Sequence, residues 1–306
     1  MKRLLAIILT IFVLFTLIAC VEETPSNDSG VVSEQNENSD KETGAIETSN
    51  TEKNEISFEE MIAVDNTECL IKIKEIDPDN IWGYTIKVQL ENKSTDKTYM
   101  FSVESAAVNG VQCDPFFATE VAAGKKSNDE IIFTDKALEK NGVGDYTDIE
   151  LTFRVYDSND WLADEVAEET IHIYPYGENK ASKFVREIKA SDNLIVDNEY
   201  VSVVVMGYEE DEIWGYTVNM FLLNKTDKDI MFSVDEASVN GFMIDPFYAK
   251  TVYGGKCAFS SMSWSNTALE ENDITDVEKI EFKFRAYDNN NWFGDDFANE
   301  IITLNP

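Results

Sequence analysis

A long internal repeat restricts the fold of this 306-residue chain more than any other feature. The sequence Ile-Trp-Gly-Tyr-Thr occurs at 81–85 and again at 213–217. With one gap at Ser94, residues 81–175 align with 213–306, and nearly half of the aligned pairs are identical. A unit of about 131 residues is longer than the roughly 20–50 residues of solenoid repeats. The pattern therefore predicts a tandem duplication.

Within each repeat, the apolar residues follow the period of a β-strand. From Trp82 to Leu90 apolar side chains alternate with polar ones, and a similar alternation runs from Ile149 to Tyr156. Because successive side chains of a strand point to opposite faces, each segment predicts a strand with one face on a core and the other in water. This pattern predicts that Trp82 and its counterpart Trp214 are core residues.

Turn signals divide each repeat into short strands. Asn109-Gly110 and Asn240-Gly241 favour tight hairpins, because this dipeptide tolerates the positive φ angles of a type I′ turn. About seven or eight such strands in each repeat predict an all-β chain with two tandem immunoglobulin-like antiparallel β-sandwiches. We expect the first sandwich at 59–176, a linker at 177–193 and the second sandwich at 194–306.

A further motif links these repeats to a known family. In the first repeat, 90–93 (LENK) is followed by Lys97, and 123–126 (AGKK) stands before 131–133 (IIF). This arrangement resembles the telokin-like, immunoglobulin-like domains of bacterial lipoproteins. The resemblance implies an immunoglobulin-like fold and an extracellular setting, and it implies little about activity.

The N-terminal segment predicts where the protein is located. Lys2 and Arg3 precede an apolar run from 4 to 17, which is short for a membrane span and typical of a signal-peptide core. The segment 17–20 (LIAC) resembles the lipobox of bacterial lipoproteins. The resemblance implies that 1–19 is a signal peptide and that Cys20 carries a diacylglycerol. Two acyl chains would hold the protein in the bilayer, on the extracytoplasmic face of the cell membrane.

The segment after the lipobox has the composition of a disordered stalk. Residues 21–57 contain no aromatic side chain and are rich in Glu, Ser, Asn and Thr. Such a segment buries too little apolar area to offset its ordering entropy. We therefore expect the lipidated cysteine and an acidic stalk to occupy 20–58.

The net charge limits the partners of the chain. With 25 Lys and Arg against 59 Asp and Glu, the formal charge is −34. Binding to nucleic acid requires a basic surface that neutralises phosphates. We therefore expect no nucleic-acid partner.

The sequence lacks the usual patterns of an active site. The chain has a single histidine, His172, in a predicted strand, so a nucleophile would lack a well-placed base. No zinc-type cluster and no glycine-rich phosphate loop is present in the sequence. Acidic loop residues could supply oxygen ligands to calcium, but Trp161 and Leu162 stand where the loop pattern of calcium proteins needs a ligand and glycine. We assign no catalytic residue, no cofactor and no metal.

The linker and the cysteines each leave two interpretations open. Lys180, Lys183, Arg186 and Lys189 form a basic stripe that could bind an anionic wall polymer or an acidic neighbouring face, although a solvated linker is favoured. Cys69 and Cys113 could form a disulfide, although buried thiols are favoured for at least two of the three cysteines that follow Cys20. The third of these is Cys257.

One pattern shared by the repeats indicates a contact surface. A Phe-Arg-x-Tyr-Asp-x₃-Trp sequence occurs in both, and an aromatic residue beside Arg and Asp is common where proteins bind proteins or glycans. The candidate contact patch consists of Arg154, Tyr156, Asp157, Trp161 and Asp164, and of Arg285, Tyr287, Asp288, Trp292 and Asp295 in the second repeat.

Together these features predict a lipid-anchored surface protein that acts as a non-enzymatic binding or interaction module. Its partner would be a cell-surface protein or a wall glycan, and two copies of one module would raise avidity. A carbohydrate-binding lipoprotein is the alternative. A carboxylate-dependent hydrolase is a weaker one, which would need two acidic groups facing one cleft.

Overall fold

A computed structural model describes residues 55–306, except 135, 161 and 212–214, and gives only the backbone at 136 and 137. The signal peptide, Cys20 and most of the predicted stalk therefore lie outside the described residues. Residues 52–306 form one compact unit, and the following description concerns that unit. Among the residues described, no helix is long and apolar enough to cross a membrane.

Almost all regular structure in the unit is β. The strands of the first repeat are β1 (Met61–Asp65), β2 (Cys69–Asp77), β3 (Tyr84–Asn92), β4 (Tyr99–Val108), β5 (Val111–Cys113), β6 (Ala118–Val121), β7 (Lys126–Phe133), β8 (Ile149–Asp157) and β9 (Ala167–Ile173). Those of the second repeat are β10 (Asn193–Asp197), β11 (Val201–Asp211), β12 (Gly215–Asn224), β13 (Ile230–Val239), β14 (Phe242–Met243), β15 (Ala249–Val252), β16 (Cys257–Trp264), β17 (Ile280–Asp288) and β18 (Ala298–Leu304). Two short helices, α1 (Lys136–Lys140) and α2 (Asn266–Glu270), occupy equivalent positions. The predicted all-β fold is confirmed.

The strands form three sheets. A four-stranded sheet has the order β1-β2-β3-β7, and a sheet of the second repeat has the order β14-β13-β17-β18 with β15 beside β13. The central sheet runs β10-β11-β12-β16-β5-β4-β8-β9, with β6 beside β4, and so takes strands from both repeats. Its two halves meet where β16 pairs with β5 in parallel, at Cys257 and Val111.

Two hydrophobic cores lie in the unit, and they follow the strand alternation that the sequence predicts. In β8, every second residue from Ile149 to Val155 is fully buried. In β17, every second residue from Ile280 to Ala286 is likewise buried. One core collects mainly residues of the first repeat and the other residues of the second.

The prediction that Trp82 is a core residue is wrong. Its side chain is 67% exposed, because β3 begins only at Tyr84. Trp82 lies in a turn, where its backbone N–H donates to the Asn80 side-chain oxygen at 3.0 Å. Gly83 ends this turn at φ 129°, and a Cβ there would lie 2.3 Å from the Phe133 carbonyl oxygen. The counterpart Trp214 lies outside the described residues.

The linker is attached to the second repeat through Phe184, while Lys180, Lys183 and Lys189 of the predicted basic stripe are exposed, as expected of a solvated segment. The Phe184 ring lies 6.5 Å from that of Phe221 and 5.9 Å from that of Phe259. Arg186 makes two hydrogen bonds of 2.7 Å with the carboxylate of Asp192, and both side chains are buried. One cation of the stripe is thus neutralised within the linker.

A difference between the repeats explains this packing. The outward face of β11, β12 and β16 carries apolar residues, whereas the aligned face of the first repeat is polar. The apolar set, Val204, Met206, Phe221, Leu223 and Phe259, aligns with Lys72, Lys74, Gln89, Glu91 and Asn128. Because the removal of apolar surface from water lowers the free energy of the protein, this face favours the docked linker.

The three cysteines in the described part of the chain are buried and form no disulfide with one another. Burial raises the pKa of Cys69 to about 11 and that of Cys257 to about 12, because the thiolate is poorly solvated there. Cys113 is also buried and unbonded to another cysteine. The alternative of a Cys69–Cys113 disulfide is not realised in this structure.

Truncating Phe184 should loosen the linker from the second repeat. Because this ring is only half-buried, we expect Phe184→Ala to lower the free energy of unfolding by about 1–2 kcal/mol, less than for a fully buried phenylalanine. Urea unfolding followed by tryptophan fluorescence measures the change. The neighbouring Val185 is exposed, so Val185→Ala should stay within about 0.5 kcal/mol of wild type. Equal effects of the two substitutions would contradict the docked linker.

Candidate functional site

The candidate contact patch lies on two equivalent hairpins, β8–β9 and β17–β18. In each hairpin the first strand ends at an aspartate, and a loop follows at 158–166 or 289–297. The strand alternation buries Phe153 and Phe284 and turns the neighbouring Arg and Tyr side chains outward. This placement brings the predicted Arg, Tyr and Asp residues to the base of each loop.

The two arginines are held by groups of their own hairpin. The Arg154 guanidinium carbon lies 4.6 Å from the Tyr156 ring centre, and the Arg285 carbon lies 4.9 Å from that of Tyr287. Arg154 Nε donates to Glu165 at 2.9 Å. The hairpins thus share one arrangement, in which a guanidinium stacks on a tyrosine and pairs with a carboxylate at the far side of the loop.

The pairing is stronger in the second hairpin. Arg285 makes a bidentate contact with Asp296, at 2.9 and 2.8 Å, and a further oxygen of Asp235 lies 3.5 Å away. The guanidinium holds the pKa of the Asp296 carboxyl below its usual range, and the carboxylate in turn raises the pKa of Arg285. A fork of two parallel hydrogen bonds fixes the relative orientation of both groups. The base of this loop is therefore clamped.

Asp157 and Asp288 close their loops from within. Each accepts a backbone N–H two residues on, from Asn159 at 3.0 Å and from Asn290 at 2.9 Å. Asp288 also pairs with Lys228 at 2.8 Å, and this ammonium lowers the pKa of the Asp288 carboxyl. Both aspartate side chains are largely buried. In this structure their oxygens serve loop geometry.

The exposed part of the second loop is aromatic. Trp292 is 70% exposed and Phe293 is fully exposed, while the Trp292 indole N–H donates to the Asn289 carbonyl oxygen at 2.7 Å. Asp295 is exposed beside them. Sequence reasoning identified Trp292 and missed Phe293, although an apolar residue in a loop of Asp and Asn is itself a signal.

The first loop presents a smaller apolar group. Leu162 is exposed there, and Asp164 lies exposed two residues on. Trp161, the counterpart of Trp292, lies outside the described residues. The two loops therefore differ at the aligned positions of Leu162 and Phe293.

The histidine belongs to the contact between the repeats. His172 Nδ1 lies 2.7 Å from Asp148 Oδ1, and Nε2 lies 3.4 Å from Glu150 Oε2. Glu150 also pairs with Lys256 of the second repeat. Among the described residues, no group of three or more His, Cys, Asp and Glu side chains is arranged to hold a metal ion.

A cleft of about 650 Å³ lies beside the docked linker, away from both hairpin loops. Arg186 and Lys189 of the linker line it together with Tyr208, Asn219 and Phe259. Lys140 also lines it and pairs with Glu209 at 3.2 Å. With Arg186 bonded to Asp192, the cationic stripe predicted from sequence is only partly available to a ligand.

Comparisons with known proteins leave the family open. No protein family matches the chain, and no curated protein matches it. The chain is similar to the crystal structure of the YadV chaperone at 10% identity and a TM-score of 0.23, covering 72% of this chain and 92% of that chain. It is also similar to red sea bream transglutaminase at 9% identity and a TM-score of 0.22, covering 79% of this chain and 31% of that chain. The chain thus spans under a third of the transglutaminase.

The clamp in the second hairpin should make stability depend on acid. Because the folded pKa of Asp296 is lowered, its contribution is present above the ordinary carboxyl pKa of about 3.9 and is lost as pH falls through the folded value. We expect Asp296→Asn to lower the free energy of unfolding by about 1 kcal/mol at neutral pH and by less below about pH 3.

Urea unfolding at a series of pH values measures this effect. The adjacent Asp295 is exposed, so Asp295→Asn serves as the matched control and should leave the pH profile unchanged. A parallel shift of both variants at every pH would contradict the Arg285–Asp296 clamp.

Proposed function

We propose that this chain is a lipid-anchored surface protein that binds its partner without catalysis. Cys20 would join it to the bilayer through acyl chains on the extracytoplasmic face of the cell membrane. The contact surface would be the β17–β18 loop, with Trp292 and Phe293 as its anchors. The partner would be another cell-surface protein or a wall glycan.

The exposure of Trp292 and Phe293 is the observation that carries this proposal. Exposing two adjacent large aromatic side chains to water costs free energy. Such side chains are enriched among the residues that dominate binding interfaces. The chain has a formal charge of −34, so polar residues are common in it, and two aromatic residues in an exposed loop stand out. The aromatic pair is therefore best explained by a partner that covers it.

The hairpin also holds the Trp292 side chain in place before binding. The Trp292 indole N–H is bonded to the loop backbone, and the Arg285–Asp296 clamp closes the loop base. A partner then immobilises fewer free rotamers, and this lowers the entropic cost of association. This preorganisation supports binding more than catalysis, because the carboxylates of Asp288 and Asp296 at the loop base already form ion pairs with Lys228 and Arg285.

A glycan is the alternative partner. Trp292 is surrounded by exposed hydrogen-bonding side chains, namely Asn290, Asn291 and Asp295. An aromatic ring beside amide and carboxylate groups can bury the apolar face of a sugar and bond its hydroxyls. A soluble wall glycan that quenches the tryptophan fluorescence would identify this partner class.

Removing the exposed tryptophan should weaken capture of the partner. Tagged residues 52–306 are incubated with cell-wall and with membrane extracts, and saturable retention is measured. We expect Trp292→Ala to weaken retention at least about tenfold, or about 1.4 kcal/mol. Trp82 is almost equally exposed in a turn outside the patch, so Trp82→Ala is the matched control. Equal retention by Trp292→Ala and wild type would refute the contact surface.

The anchor is tested separately. In a bacterial host that processes lipoproteins, we expect the full chain to fractionate with the membrane and Cys20→Ala to leave the membrane fraction, because the acyl chains supply the membrane affinity. Mass spectrometry of the mature N-terminus reads the modification directly. Membrane association that survives Cys20→Ala would contradict this part of the proposal.

A further inference from the structure

The structure shows how one strand edge of this fold is covered by another. In the first repeat, β5 is buried on all three of its residues because β16 of the second repeat lies against it. The Cys257 N–H donates to the Gly110 carbonyl oxygen at 3.1 Å. The Gln112 side chain bonds the backbone of Thr251 and Tyr253, each at 3.1 Å.

An ion pair completes this contact. Lys256, in the turn before β16, pairs with Glu150 on β8 of the first repeat. The junction therefore has three parts. These are a backbone hydrogen bond to the turn glycine, an apolar strand edge, and a lysine that meets a glutamate on the neighbouring strand.

Among the described residues, the second repeat carries the same edge without a covering strand. Its β14 aligns with β5 and ends its sheet, and Phe242 and Met243 are 49% and 68% exposed. The turn before it matches the first, with φ of 51° at Asn240 and 86° at Gly241, against 52° and 82° at Asn109 and Gly110. An edge that bears exposed apolar residues is a template for pairing with another strand.

The same scaffold supports both turns. The Asn109 side-chain amide donates to the Asp145 carbonyl oxygen at 2.8 Å, and the Asn240 amide donates to that of Asp276 at 2.7 Å. The Gly241 carbonyl is therefore held as the Gly110 carbonyl is, and the latter accepts the Cys257 N–H. Glu281 aligns with Glu150.

The first repeat carries the counterpart of the covering strand. In the alignment β7 corresponds to β16, Lys126 to Cys257 and Lys125 to Lys256. β7 ends its four-stranded sheet, and Lys125 is exposed in the turn before it. One chain thus presents an uncovered acceptor edge in one repeat and the aligned donor edge in the other.

We propose that β14 of one chain accepts the β7 edge of a second copy, as β5 accepts β16 within the chain. Lys126 N–H would donate to the Gly241 carbonyl oxygen, Lys125 would pair with Glu281, and Phe242 would be covered. Such a contact joins two different surfaces, so it is heterologous and can repeat in an open row. Self-repulsion from the net charge of −34 makes the contact weak in dilute solution.

Two differences from the β5–β16 contact make the proposed contact between chains weaker. Gln112, which bonds the covering backbone, is replaced by Met243, and the apolar face that receives the linker is polar in the first repeat. The second change is expected, because the linker at 177–193 is docked on the second repeat. The backbone bond and the ion pair remain available.

Sedimentation velocity on residues 52–306 tests the proposal, since these residues form one compact unit. The experiment is run at ~0.15 M salt, where the Debye length is about 8 Å. The weight-average sedimentation coefficient should rise with protein concentration up to about 1 mM, a range in which weak association is detected. Species larger than a dimer are expected at the upper end. A chain that stays monomeric throughout, or that stops at a dimer, would overturn the proposal.

Matched substitutions locate the contact. Phe242→Asp should raise the dissociation constant at least about tenfold, whereas Ile301→Asp, at an exposed position of β18 on the opposite edge of the same sheet, should leave it unchanged. Both positions are on the surface, and circular dichroism checks that each variant is folded. Equal effects of the two variants would refute β14 as the acceptor.

A charge exchange then tests the donor. Glu281 lies 2.8 Å from Lys279 in the same chain, and an incoming Lys125 would share it. Glu281→Lys and Lys125→Glu should each associate at least about tenfold more weakly than wild type. In an equimolar mixture both contacts between unlike chains are complementary, one as in wild type and one with its charges exchanged, so the mixture should recover association close to that of wild type. A mixture no more associated than the separate variants would overturn the second copy as the partner of β14.

Discussion

The pairing of β16 with β5 is the contact on which the shape of this unit depends. It joins strands of both repeats into one central sheet, so that the β5 edge is buried rather than exposed to water. The Lys256–Glu150 ion pair adds a second link between the repeats, and Phe184 packs against Phe259 of β16. Because backbone bonding, charge and apolar packing act at the same place, the repeats form a single compact unit.

The periodicity of the sequence predicted the strands well, and the reason is local. Each core strand alternates residue by residue, so that Ile149 and Leu151 are buried while Glu150 and Thr152 face outward. The Asn-Gly turns were equally predictable, because positive φ restricts the residue types that fit. The prediction for Trp82 is wrong because a strand pattern does not show where pairing begins, and β3 begins only at Tyr84, after a turn held by Asn80.

Less of the candidate site could be predicted, because its geometry depends on residues that meet through folding. The Arg285 motif is visible in the sequence, but its clamp to Asp296 requires the hairpin register. The docked linker had a signal that went unused: outward positions such as Phe221 and Phe259 are apolar in one repeat alone. A comparison of the two repeats at outward positions would have indicated a cover over that face.

A duplicated chain offers an internal control that a single domain lacks. Some positions identical in both repeats, such as the turn glycines Gly110 and Gly241, serve what each copy needs to fold. Positions that differ on the surface can report what each copy contacts, because both copies arrange their strands in the same order. Cys257 against Lys126 is such a difference: the first lies buried at the repeat junction, whereas the second lies exposed at a free edge. This difference therefore falls where the surroundings of the two copies differ.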